Sequence, residues 1–323
     1  MPFLDNVKRS ISKIKFNLMH HYFNGVPTKE LMHWFSNLND NIISKWWTPG
    51  IPNIDDVLHG ATCPKNKTVK WFGMDSLDEY AKSKQTVINK NDEDKVTPTI
   101  DQWLFTEDNV NYTFNSLGYR GDEPAMHIDA DFTVLVCSDS HGFGIGLDDE
   151  QVWPAVLKNK LKQIYNNPIV INISCPGGSN DWIARAITCT LEKIRPNVVV
   201  AVYSYPNRRE AISSRGSLWE LGTSLPTPGF GISPQDHADI QMHFTTINDY
   251  EDYYNMSKNH WMIKNACDSK NVKLTTSHVQ QMQLIQRNVT FELDFYDVAR
   301  DLKHFGPTVH EKFAQSIYGK IQK

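Results

Sequence analysis

The chain has 323 residues, a hydrophobic fraction of 40% and a net charge of −4. That size suits one large domain or a domain with an attached module, and the acidic balance excludes a general nucleic-acid binder, which carries a basic stripe. No apolar run approaches the roughly 20 residues of a membrane-spanning helix; the run at 198–202 is strand-sized.

At the N-terminus, Asp5, Lys8, Arg9, Lys13 and Lys15 interrupt every apolar run, so no secretory leader is read there. Leu4, Val7, Ile11, Ile14 and Leu18 recur at steps of three and four, which predicts a helix with one apolar stripe. Packing on its own domain is the plain use of that stripe; docking to a protein partner and lying on a membrane surface are the others. Aromatic segments with Trp34, Trp46, Trp47 and Trp71 follow, read as burying against the main domain before stacking on sugars. The polar stretch 82–95 reads as a solvated loop. Residues 1–110 are therefore set apart as a mostly helical or irregular extension, an accessory or docking segment, ahead of a domain spanning 111–323. Cys63, Cys137, Cys175, Cys189 and Cys267 are odd in number and lack metal-ligand spacing, as does the His20-His21 pair. A reduced, cytoplasmic setting is the default expectation, and a particle-associated or non-classically exported chain would read the same way.

From Phe132 onward strand-like and helix-like segments alternate, the pattern of a parallel sheet in a three-layer α/β/α domain. Strands are predicted at 132–137, 169–174, 197–204, 271–277 and 289–293, which makes five. Helices are predicted at 152–164, at 182–194 behind the capping residues Ser179 and Asn180, and at 309–321. An insertion at about 208–268 begins rich in Gly, Ser and Pro and continues aromatic and partly helical. A segment of this length at the carboxyl edge of a sheet serves as a lid or substrate wall, or is a surface hairpin with no part in binding.

The chemistry concentrates in two distant segments. The apolar run Val134-Leu135-Val136-Cys137 stops at Ser138-Asp139-Ser140-His141-Gly142, which exposes a hydroxyl where open α/β sheets place their ligands. Near the C-terminus Asp301 precedes His304 by three residues, close enough to orient its ring. A serine hydroxyl is a weak nucleophile without such an oriented base, so Ser140 is the candidate nucleophile, His304 the base and Asp301 its partner. His141 is a second candidate base, but adjacent residues on a tight turn seldom point together. Oxyanion donors are expected from the Ser140 N–H and from the turns at 172–178 and 204–207. There Gly177 lets its N–H approach without a Cβ in the way, and Asn207 offers a neutral amide.

In this order the segments resemble the SGNH (GDSL-type) hydrolase family. Ser138-Asp139-Ser140 resembles its first block, Asn172 to Gly177 its second, Asn197 running into Asn207 its third, and Asp301-Leu302-Lys303-His304 its last. Asn115-Ser116-Leu117-Gly118-Tyr119-Arg120 resembles an element that often precedes the first block. Two stretches depart from the family pattern: Ser138 stands where Gly is usual, and Tyr205-Pro206-Asn207-Arg208 stands for Gly-x-Asn-Asp. The resemblance, covering about 112–323, implies a flavodoxin-like sheet, a Ser140–His304–Asp301 triad and an oxyanion hole of Ser140, Gly177 and Asn207. Asn115, Arg120, Asp139 and His141 are expected to support the site or touch substrate. The implied reaction is hydrolysis of acyl esters, O-acetyl esters of carbohydrates foremost, with no cofactor or metal. An acyltransferase using the same site, and a non-catalytic binding or assembly module on this fold, are the alternatives.

Overall fold

The structure, a computed structural model, describes residues 64–89, 97–212, 218–221, 234–246 and 248–322. All of them fall within one unit, Pro52–Lys323. The stripe of Leu4 to Leu18 and the residues Trp34, Trp46 and Trp47 lie outside the described residues.

Short strands β1 (Lys67–Val69) and β2 (Tyr112–Phe114) pair antiparallel and flank helix α1 (Leu77–Ile88). Part of the stretch expected to be a polar loop is therefore helical. The cause is local: Ser76 Oγ accepts from the Glu79 N–H at 3.2 Å, Asp78 and Glu79 sit in the positive first turn, and Tyr80, Ser83 and Val87 share a buried face.

The central sheet contains β3 (Phe132–Cys137), β4 (Pro168–Asn172), β5 (Val198–Tyr203) and β8 (Lys273–His278), all parallel in the order β4-β3-β5-β8. The first three are near-continuous apolar runs, as strands covered on both faces must be. Alternation sorts their side chains cleanly. Leu135, Ile171, Val199 and Ala201 face one layer, which holds α4 (Asn180–Leu191) and part of the long α6 (Asp249–Ser269). Val134, Val136, Val170 and Val200 face the other, built from α3 (Trp153–Leu161), α7 (Val279–Leu293) and α8 (Pro307–Gln322). Between β5 and α6 lie the hairpin strands β6 (Arg209–Ile212) and β7 (Leu218–Leu221) and the helix α5 (Pro234–Thr246).

The α/β, three-layer expectation holds, with a correction to the strand count: the sheet has four strands among the described residues, and 289–293 belongs to α7. The β-branched and aromatic residues there imitate a strand locally, yet Val279, Met282, Gln286 and Val289 are buried at helical spacing while Phe291 is 92% exposed. Within the described residues the other strands and helices read from Phe132 onward are present, the strand 132–137 with the same bounds and the rest with shifted ends. Ser179 caps α4 by accepting from the Trp182 N–H at 3.0 Å, and α8 opens on Pro307.

A third apolar cluster joins Tyr80, Trp103, Phe105 and Tyr112 to Phe143, Ile145, Leu147, Val152 and Ala299. Described residues on both sides of position 110 therefore share one apolar cluster. No helix among the described residues is long and apolar enough to cross a membrane.

Candidate active site

From β3 the chain passes to β4 on one side and to β5 on the other, so β3 lies where the winding of the sheet reverses. Open α/β sheets form their crevice at the carboxyl end of that position. Ser140 stands there, as the first residue of the four-residue helix α2 (Ser140–Phe143). The turn into α2 is held by Asp139, whose Oδ1 accepts from the His141 N–H at 3.0 Å. Gly142 is required by crowding, since a methyl group there would collide with Ser174 Oγ and Ser138 Cβ.

The loop after α2 is pinned by Arg120, which is only 3% exposed. Its guanidinium donates to the carbonyls of Phe143 at 3.0 Å, Gly144 at 2.6 Å, Leu147 at 3.0 Å and Asn111 at 3.1 Å, and to Asp149. Asn115 shapes the turn leading to it, accepting from the Leu117 and Tyr119 N–H groups at 3.0 Å and donating to Asp122 O at 3.1 Å. These two residues work on backbone.

Asp301 and His304 sit on the loop between α7 and α8. The loop is shaped by Leu302 at φ 56, by the Ala299 N–H donating to His304 O at 2.9 Å, and by the Lys303 and His304 N–H groups donating to Asp301 Oδ1. His304 Nδ1 lies 2.6 Å from Asp301 Oδ2, and His304 Nε2 lies 3.0 Å from Ser140 Oγ. With the Nδ1 proton directed at the carboxylate, Nε2 is the acceptor for the serine hydroxyl. Asp301 is 1% exposed. Burial by itself would raise its carboxyl, but the His304 hydrogen bond and charge and the two backbone donors outweigh that and hold it below the usual carboxylate range.

His141 is engaged differently. Its Nδ1 lies 2.8 Å from Asp139 Oδ1, and its ring packs against Phe305 and His304 with centroids 4.8 and 5.5 Å away. Asp139 is fully buried and acts as a hub: its Oδ2 accepts from Ser204 Oγ at 2.7 Å and from Arg208 Nη1 at 3.1 Å. Desolvation pushes this carboxyl upward, while His141, Arg208 and Ser204 overcome it and keep the group ionised. The turn beyond β5 is thereby tied to the nucleophile turn. Asn180 ties it again from α4, accepting from the Ser204 N–H at 2.9 Å and donating to the Ser204 and Tyr205 carbonyls.

Gly177 and Asn207 occupy the turns after β4 and β5, the two neighbours of β3. Both are exposed. Gly177 has φ +79 and open space where a Cβ would stand. Asn207 lies in a turn closed by the Arg208 N–H on Tyr205 O at 3.0 Å.

Sequence reading missed several supports. Of the two capping residues that the sequence offers, Ser179 is the cap, and Asn180 reaches across to the turn after β5. The fully buried pair Arg300–Asp75 was also missed: Arg300 Nη2 lies 2.6 Å from Asp75 Oδ2, and the guanidinium stacks 3.9 Å from the Trp71 ring centroid. Tyr112 OH donates to Asp75 at 2.5 Å and accepts from the Gly146 N–H at 2.7 Å. These contacts link β1–β2, the loop after α2 and the loop bearing Asp301. The local signal in the sequence is Arg300 standing directly before Asp301.

No family model matches the sequence, and no curated protein does. Among solved structures the chain is similar to the psychrotrophic esterase EstA from Pseudoalteromonas sp., with 16% identity and TM-score 0.32 over 59% of this chain and 97% of that one. It is similar to TesA at 15% identity and TM-score 0.35, over 59% of this chain and 98% of TesA. A two-domain esterase active on acetylated mannans matches at 12% identity and TM-score 0.29, over 64% of this chain and 55% of its own.

Proposed function

We propose that the chain is a serine ester hydrolase of SGNH type. The observation that carries this reading is the continuous path from Ser140 Oγ through the His304 ring to the Asp301 carboxylate, with heavy-atom separations of 3.0 and 2.6 Å. Ser140 attacks the ester carbonyl while His304 Nε2 takes the hydroxyl proton. Asp301 fixes the imidazole in the useful orientation and stabilises the cation that forms, staying ionised itself. The Ser140 and Gly177 N–H groups and the Asn207 amide stabilise the oxyanion of the tetrahedral intermediate. His304 then returns its proton to the departing alkoxide, leaving an acyl-serine. Water, activated by the same Nε2, attacks the acyl-serine and releases the acid. In this scheme Asp139, Asn180 and Arg208 hold the Asn207 turn against the nucleophile turn, and Asn115 and Arg120 hold the loop behind Ser140. The substrate is an acyl ester, and an O-acetyl group on a carbohydrate alcohol is the form that the sequence resemblance implies. The scheme calls for no cofactor.

A fluorophosphonate probe tests the reading. Stoichiometric labelling of the folded protein at Ser140, abolished in Ser140→Ala, is the expected result. Folded protein that takes up no label overturns the esterase reading and leaves a binding or assembly module.

A further inference from the structure

A cleft of about 350 Å³ lies beside the candidate site, at the carboxyl ends of β5 and β8 and under one side of α6. Pro206, Tyr253, Met256, His260, Trp261 and His278 form most of its wall. It adjoins the chemistry through a single turn. The segment 204–208 carries Asn207, is bonded to the buried Asp139 on one flank through Ser204 and Arg208, and presents Pro206 to the cleft on the other.

Three features of the cleft bear on what it holds. First, its wall is preformed. Asn255 and Asn259 on the buried side of α6 donate to Asp181 at 3.0 and 2.7 Å, which docks the helix on the start of α4. Tyr203 OH lies 2.9 Å from His260 Nδ1, which fixes that ring. Second, Tyr253, Ser257 and Trp261 recur every four residues and so share a face of α6. Both aromatic rings remain open to solvent, 61% and 58% exposed. Third, among the described residues no Lys, Arg, Asp or Glu lines the cleft, while Ser257, His260 and Gln280 bring polar atoms among the rings. Burying a charged ligand there would leave it without a counter-ion. A purely alkyl ligand would leave those polar groups facing hydrocarbon, at the cost of their hydration. A ring with flat C–H faces and a rim of oxygen acceptors, whether hydroxyl or ester, satisfies both halves of the wall.

We infer that this cleft is the subsite for the alcohol portion of the ester, and that it takes an uncharged sugar ring stacked on Trp261 and Tyr253. The inference rests on the esterase reading for its catalytic consequence, but the subsite itself is testable without turnover.

The probe is glucose pentaacetate, a neutral acetylated hexose, with ethyl acetate as the reference ester of the same acyl group. In the full chain, Trp261→Ala should lower the ratio of kcat/KM for glucose pentaacetate over ethyl acetate about tenfold, the size of one lost stacking contact, chiefly through KM. Trp261→Phe should recover most of that ratio. A merely structural role for Trp261 moves both esters together and leaves the ratio unchanged, which would overturn the subsite. A drop confined to decyl acetate would overturn the sugar assignment in favour of an alkyl alcohol. Calorimetric titration of Ser140→Ala with glucose pentaacetate separates the two readings. Saturable binding weakened about tenfold by the added Trp261→Ala upholds the subsite even where the wild-type protein turns over neither ester, in which case only the esterase reading fails. Absence of binding in Ser140→Ala, with the wild type hydrolysing ethyl acetate, sinks the subsite alone.

Discussion

Replacing Asp75 by alanine removes one partner of an ion pair in which both side chains have 0% relative exposure. Asp75 accepts from Arg300 Nε at 3.0 and 3.2 Å, from Arg300 Nη2 at 2.6 Å, and from Tyr112 OH at 2.5 Å. The variant leaves the guanidinium buried with carbonyl partners on Lys70, Thr106 and Glu107 and the Trp71 ring, but no counter-charge. Breaking such a pair from one side costs about 3–5 kcal/mol, a large share of the roughly 5–15 kcal/mol that holds a domain together. Replacing both members by apolar residues of similar volume is far cheaper, so Asp75→Leu with Arg300→Met should be more stable than Asp75→Ala. Urea unfolding followed by tryptophan fluorescence measures this, and the single variant should shift the midpoint by roughly 1 M or more. A loss below about 1 kcal/mol for Asp75→Ala would refute the reasoning, because a buried charge would then have found compensation elsewhere. So would a double variant whose cost equals the sum of the two singles.

Ser140→Ala and His304→Ala should each remove nearly all activity on a small acetate ester without unfolding the protein. Their double variant should be barely worse than either, and additive losses in initial-rate assays would mean the two do not act as a unit. Asn207→Ala should lower kcat by about 10²–10³ with little change in KM, as for loss of one oxyanion donor; an equal fall in affinity alone would assign Asn207 to substrate binding. The two depressed carboxylates make an acid prediction. In the unfolded chain Asp139 and Asp301 take up protons near the ordinary value of about 3.9, whereas in the native state they resist until lower pH. The unfolded state thus binds more protons over that interval, so their stabilisation is complete above about pH 5 and drains as pH falls through the native values. Urea midpoints measured from pH 6 to 3 should therefore drop less steeply in Asp301→Asn than in wild type; identical slopes would count against the depressed carboxyl.

The parts legible in the sequence are those set by short-range physics. Strands β3, β4 and β5 announce themselves because both faces are covered, and Ser140, Asp301 and His304 because each stands where a strand or loop ends near the sheet's carboxyl edge. The segment 289–293 was misread because β-branched and aromatic residues satisfy local strand preference, while the burial that decides the matter follows a helical face beginning at Val279. The stretch 82–95 was misread in part because a charged surface helix with a three-residue buried stripe resembles a loop by composition. Supports such as Asp75 for Arg300, or Asn180 for Ser204, were beyond reach for another reason. Asp75 and Arg300 are 225 positions apart, and nothing periodic or compositional links them until the sheet brings them together. Glycines were easier to read: Gly142 and Gly177 stood out as turn residues, although only the packing shows that the first answers to crowding and the second to backbone angle.

The Tyr112 hydroxyl bonds at once to the Gly146 amide and to the Asp75 carboxylate, and the Gly146 carbonyl in turn receives the Arg300 N–H at 3.0 Å. The two stretches of chain that the proposed reaction brings together are thus fastened to one small buried knot. Neither can loosen without slackening the other, so thermal breathing of this corner is shared. The isotope-exchange rate of a single amide, that of Gly146, becomes a gauge of how often the whole apparatus comes apart.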